Sequence, residues 1–249
     1  MTDALTLPQV ESGGTRPSSG RSFAWGVVGV AAQVVFTAGW VIAETWQGPR
    51  YSPIADTISD LQARTAPHVW FPIACFALGA IGTFGFAVFG LRPALAAAGR
   101  IAVYSPWLLA ISALAIGNSF PLIPCRLSDP GCTATAQLLS PGGLTDAIVA
   151  GLAFLGLALT PFPLGRRIAA IPSWRRLTPV TRVARVVCPL SYLLLAVSTN
   201  ITSMPAVGLI ERVLATSCVL WIGALALNLI LESRQQGAPA LRARVASNP

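Results

Sequence analysis

The sequence predicts an all-α, polytopic membrane bundle of about six transmembrane helices with both termini cytoplasmic. Three observations carry that prediction. Hydrophobic residues make up 54% of the 249-residue chain and charged residues only 10%, against about 25% charged in an average soluble domain. Apolar runs near the bilayer-crossing length of about 20 residues recur along the chain. All 17 basic residues are arginines, and with the N-terminus inside they gather in the cytoplasmic segments, as the positive-inside rule requires.

Each element follows from that frame. Residues 1–22 are rich in Gly, Ser, Thr and Pro and read as a disordered cytoplasmic tail. The transmembrane domain covers 23–232. Its first apolar run, 23–43, is longer than a signal-peptide core and is read as a retained helix. A polar loop, 44–69, follows. The second span, 70–91, carries Gly79, Gly82, Gly85 and Gly90, small residues that let helices approach closely. The third span is 101–123, with Asn118 and Ser119 near its far end, and a second polar loop runs from 124 to 143. The fourth span is 144–164. The stretch 165–185 holds Arg166, Arg167, Arg175, Arg176, Arg182 and Arg185 and reads as a basic cytoplasmic loop, with Trp174 at the interface. The fifth span, 186–204, contains Pro189 and several hydroxyls, and a turn around Pro205 leads to the sixth span, 207–231. Residues 233–249 read as a polar cytoplasmic tail.

The most polar patterned stretch is Tyr51-Ser-Pro-Ile-Ala-Asp-Thr-Ile-Ser-Asp-Leu61. Ser52-Pro53 suits a helix start. Ile54, Ile58 and Leu61 then fall on one helical face, and Asp56, Ser59 and Asp60 on another. The spacing predicts an amphipathic helix near 52–62 of about three turns, too short to span, in which Asp60 and Arg64 can pair. Its polar face is either a solvated surface or the wall of a site. The same topology puts Glu44, Asp56, Asp60, Asp129, Asp146 and Glu211 on the outer side. Asp146 and Glu211 sit near helix starts, where the dipole favours them. The sharper reading groups Tyr51, Ser52, Asp56, Ser59, Asp60, Asp146 and Glu211 around an outward-facing pocket, with Arg212 as counter-charge. Cys125 and Cys132 are close enough in sequence for a disulfide on an outer loop; the alternative is two free thiols. Cys75, Cys188 and Cys218 read as buried thiols within spans.

These motifs resemble a known family. Y-S-P-I-A-D-T-I-S-D-L resembles the signature of the bacterial and archaeal membrane family called domain of unknown function 998, in which an aromatic-x-Pro segment and an I-S-(D/E)-L core follow the first membrane helix. Phe120-Pro121 with Asp129-Pro130-Gly131 resembles its second loop, and Gly208-Leu-Ile-Glu-Arg212 with Trp221 resembles its last helix. The resemblance covers about residues 23–232. It implies the membrane fold and brings no established activity. Family members often carry a histidine near the start of the fourth helix; here the chain reads Gly143-Leu-Thr-Asp146, a departure from that pattern.

Several classes are excluded or disfavoured. The net charge of +8 does not signify nucleic-acid binding, because the arginines flank apolar spans. A single histidine, His68, excludes bis-histidine haem ligation within the chain. No nucleotide fingerprint, nucleophile elbow, metalloprotease helix or Cys-x-x-Cys is present, so no metal or cofactor is assigned. The first functional expectation is a bacterial plasma-membrane protein that binds a lipid, a small amphiphile or a protein partner at its outer face, with 51–61 as a lid. The second is an integral-membrane enzyme acting on a lipid or isoprenoid through paired carboxylates. The third is a small transporter, ranked last because no acid or base lies mid-span.

Overall fold

Seven helices order the computed structural model, which describes residues 19–117, 122–199 and 206–246. α1 is Ser19–Glu44. α2, Trp70–Gly85, continues through a π-helical stretch, Phe86–Leu91, to Ala94. α3 is Arg100–Gly117 and α4 the short Ala134–Leu139. α5, Pro141–Leu159, runs on through Pro161–Ala170. α6 is Thr178–Ser198, entered by a 3₁₀ segment, Pro172–Leu177. α7 is Val207–Ala246. Residues 1–18, Asn118, Ser119, Phe120-Pro121 and the turn at Pro205 lie outside the described residues.

Five helices, α1, α2, α5, α6 and α7, are long and apolar enough to cross a membrane; α3 contributes a shorter apolar stretch, Tyr104–Gly117. This is a polytopic helical membrane bundle. The short connections make sequential helices antiparallel neighbours. α1, α2, α3, α5, α6 and α7 each pack on the next, and α7 closes on α1, giving a ring. The alternation brings Glu44, Trp70, Gly117, Pro141, Ser198 and Val207 to one end, here termed the acidic end. The arginine end lies opposite. Leu78, Ile81, Ile111, Leu152, Val186, Leu193 and Leu220 are exposed on the outside, as an apolar solvent permits.

Local chemistry sets the ring's spacing. A Cβ on Gly82 would stand 2.8 Å from that of Ala32, and one on Gly79 2.9 Å from that of Phe36, so these glycines let α1 and α2 meet at backbone distance. α5 begins at Ser140-Pro141: the serine hydroxyl accepts from the Gly143 N–H at 2.9 Å, and proline sits where no N–H is needed. The main apolar core, with Phe86, Leu91, Leu109, Leu164, Ile168 and Leu225, fills the ring towards the arginine end.

The expected basic loop at 165–185 is a correction: it is almost wholly helical. Its arginines carry the helices past the apolar zone and bind backbone and side-chain acceptors. Arg185 donates to the Pro161 and Phe162 carbonyls, each at 3.0 Å, and Arg167 to the Ala98 carbonyl at 3.3 Å. Charge density marks this stretch as extramembrane without saying that it unfolds. Trp174 does not face the surroundings of the bundle. It is buried, with its indole N–H donating to Glu232, which also accepts from Ser173 Oγ at 2.9 Å. α7 continues beyond Glu232 to Ala246, through the segment expected to be a tail.

Candidate functional site at the acidic end

The loop after α1 is built from two local turns. The Ser52 carbonyl accepts from the N–H groups of Ala55 (3.0 Å) and Asp56 (2.7 Å), while Asp56 Oδ2 accepts from the Ser52 N–H at 2.6 Å. The next turn is a reciprocal capping box: Thr57 Oγ1 accepts from the Asp60 N–H at 3.1 Å, and Asp60 Oδ2 from the Thr57 N–H at 3.0 Å. Only a 3₁₀ turn, Ser59–Gln62, follows. This corrects the expected three-turn helix at 52–62. Both aspartates bond nearby backbone N–H groups, and such bonds compete with helix propagation.

The expected apolar face is buried in part: Ile58 and Leu61 pack with Ala43, Phe76 and Ala215, while Ile54 is exposed. The polar side is not a solvated face. Asp56 is 4% exposed and Asp60 1%. Asp60 Oδ1 accepts from the Leu127 N–H (3.2 Å) and from Gln137 Nε2 (3.0 Å), and Gln137 also donates to the Cys125 carbonyl at 2.6 Å. Asp60 therefore fastens the first loop to the second. The second loop carries a Cys125–Cys132 disulfide, with an S–S distance of 2.00 Å. It also holds an Arg126–Asp129 ion pair at 2.6 Å, and Arg126 donates to Gln47 Oε1 at 2.8 Å. Partial burial opposes ionisation of Asp129, but hydrogen bonds from Arg126 and Thr65 outweigh it and hold the carboxyl below its ordinary range.

Arg212, on α7, ties the first loop to the bundle. Nε donates to Glu44 Oε1 at 2.7 Å, and Nη2 pairs with the same oxygen at 2.6 Å. Nη1 donates to the carbonyls of Asp56 (2.8 Å) and Gly208 (2.9 Å), and Nη2 also donates to the Tyr51 hydroxyl. These partners account for all the guanidinium donors, and the group lies 5.9 Å from the Trp40 ring centroid. The loop can sit this close because residue 208 is glycine: a Cβ there would fall 2.1 Å from the Asp56 carbonyl oxygen. Burial raises the Tyr51 hydroxyl above its ordinary pKa, opposed by Arg212 and aided by Glu44. Burial also raises Asp56, with the Ser52 N–H opposing it.

Glu211 faces the other way. Oε2 accepts from the Ile58 N–H at 2.7 Å and Oε1 from Ser59 Oγ at 3.3 Å. Its carboxyl borders a cavity of about 600 Å³, including its open mouth, that is also lined by Ser59, Gln62, Thr145 and Asp146. Deeper in the ring lies an apolar shaft of about 470 Å³ between Gly79, Ala113, Leu157 and Ile222. Phe36, Phe76, Ile116 and Phe154 border both, so mouth and shaft adjoin across these four side chains. A polar pair also borders the shaft: Gln33 Nε2 donates to Thr83 Oγ1 at 2.8 Å.

The structure thus divides the residues singled out from sequence. Ser59, Asp146 and Glu211 border the cavity. Tyr51, Asp56 and Arg212 belong to the knot with Glu44, Ser52 holds Asp56, and Asp60 fastens the loops. Arg212 pairs with Glu44, not with the cavity acids. Gln62, Thr145, Gln33 and the four bordering apolar side chains were not singled out. Gln33 had a readable signal, an amide in the middle of an apolar span. The others come from distant helices and leave no local pattern.

The model of the family described as "Protein of unknown function (DUF998)" matches residues 19–228, and the chain belongs to that family. No curated protein and no solved structure matches the chain.

Proposed function

We propose that this DUF998 member binds a lipid or other amphiphile in the two adjoining cavities, its head at Asp146 and Glu211 and its apolar part in the shaft. The observation that carries the reading is the adjacency of a polar mouth and an apolar shaft that share one set of aromatic and aliphatic walls. Ligand sites are typically concave, mostly apolar and orientated by a few polar groups. The arginine distribution and the disulfide-bearing loop support an acidic end facing the oxidising exterior of a bacterial plasma membrane. The loop at 51–61 then serves as a fixed rim held by Arg212.

Two carboxyls on one cavity also support a second reading, acid–base chemistry on the bound molecule. The test of binding is purification in native lipid discs with mass spectrometry of the co-purifying small molecules. A discrete amphiphile is expected with the wild type and not with Ala113→Phe, which fills the shaft. The same bulk lipid in both samples contradicts the proposal.

A further inference from the structure

We infer that the head group taken by this cavity is a hydrogen-bond donor without negative charge, an ammonium or a hydroxyl; this rests on the amphiphile reading above. The mouth carries two carboxyls and, among its described side chains, no cation; the donor it keeps is the neutral Gln62 amide. The Asp146 carboxyl borders it and makes no hydrogen bond to the described residues. Each Glu211 oxygen accepts one bond and retains a further lone pair. The hydroxyls that border the mouth are already directed elsewhere: Ser59 donates to Glu211 and Thr145 to the Pro141 carbonyl at 2.9 Å. Among the described residues no arginine or histidine borders the cavity, and the neighbouring Arg212 has its donors directed into the knot. A phosphate or carboxylate head would meet two carboxyls with no cation to offset them. An ammonium or hydroxyl meets acceptors on both walls.

The shaft sets the tail. From Glu211 at the mouth to Ile222 in the shaft the two voids together extend about 16 Å along α7, roughly half of a hydrocarbon core about 30 Å thick. An extended dodecyl chain is close to that reach.

The test compares dodecylamine, dodecanol and dodecanoate, each loaded at equal mole fraction into lipid discs holding the full chain, with bound molecules counted by native mass spectrometry. Retention of the amine or the alcohol at least tenfold above dodecanoate is expected, the two probes separating an ammonium from a hydroxyl head. In Asp146→Asn the ratio of amine to dodecanoate is expected to fall several-fold. Dodecanoate retained as well as the other two in the wild type overturns the head-group inference and leaves the amphiphile site standing. No retention of any probe overturns both. An unchanged ratio in a folded Asp146→Asn chain places the head elsewhere and also overturns the inference.

Discussion

The Arg212 knot and the mouth of the cavity are built from the same materials, carboxyls, hydroxyls and backbone groups, the first loop and α7 being joined by α1 in the knot and by α5 at the mouth, and they differ in how completely those groups bond one another. In the knot the guanidinium donors all meet protein acceptors. At the mouth, Asp146 meets none among the described residues, and Glu211 keeps capacity towards the void. Glu211 and Arg212 are adjacent, yet helical geometry turns them about 100° apart, one into each environment. A polar cluster closed on itself serves the fold, whereas one with spare acceptors beside a cavity is suited to a ligand.

The largest expected effect lies in the knot. Arg212→Met leaves Glu44 without its cation and removes the donors from two carbonyls and Tyr51. Breaking a buried pair from one side is expected to destabilise by about 3–5 kcal/mol, read as thermal unfolding in lipid discs. A variant as stable as the wild type would break the contrast. Cys125→Ser with Cys132→Ser is expected next, at about 2 kcal/mol for so short a loop, measured as faster proteolysis of the second loop. Tyr51→Phe removes one bond to a charged donor and is expected to reduce stability by about 1–2 kcal/mol, measured in the same unfolding assay.

The smallest effect is a pH dependence. Asp129 has a folded pKa below its unfolded value of about 3.9. Its contribution is therefore present above that value and disappears as the pH falls through the lower folded pKa. Asp129→Asn is expected to reduce stability by about 1 kcal/mol near neutrality and to flatten the acid limb of the stability–pH curve. Asp56, raised by burial, has the opposite sign: acidification through its raised pKa strengthens its contribution. An acid limb unchanged by Asp129→Asn would show that the Arg126–Asp129 pair is incidental.

The bundle was legible because hydropathy, helix length and arginine placement are local properties. So was the closeness of Cys125 and Cys132, whereas the helix start at Ser140-Pro141 lies within the stretch expected to be loop. The 52–62 segment misled because periodicity reports where Ile58 and Leu61 point, and says nothing of a carboxylate that turns back on its own backbone, as Asp56 and Asp60 do. The 165–185 stretch misled because its arginines find carbonyls on neighbouring helices. The site was legible in its acids and not in its partition. Glu211 meets Ile58 across 153 positions of chain, and nothing near either residue indicates which acid closes a knot and which faces a void.

The most direct test of the central claim, that the void at the acidic end is an amphiphile site, is photo-crosslinking with a diazirine-tagged dodecylamine in lipid discs, the labelled residues being mapped by mass spectrometry. Label on Phe154, Leu157 or Ile222, which border the shaft, competed away by untagged dodecylamine, is the predicted result. Label confined to outward-facing residues such as Leu193 and Leu220, without competition, would contradict it.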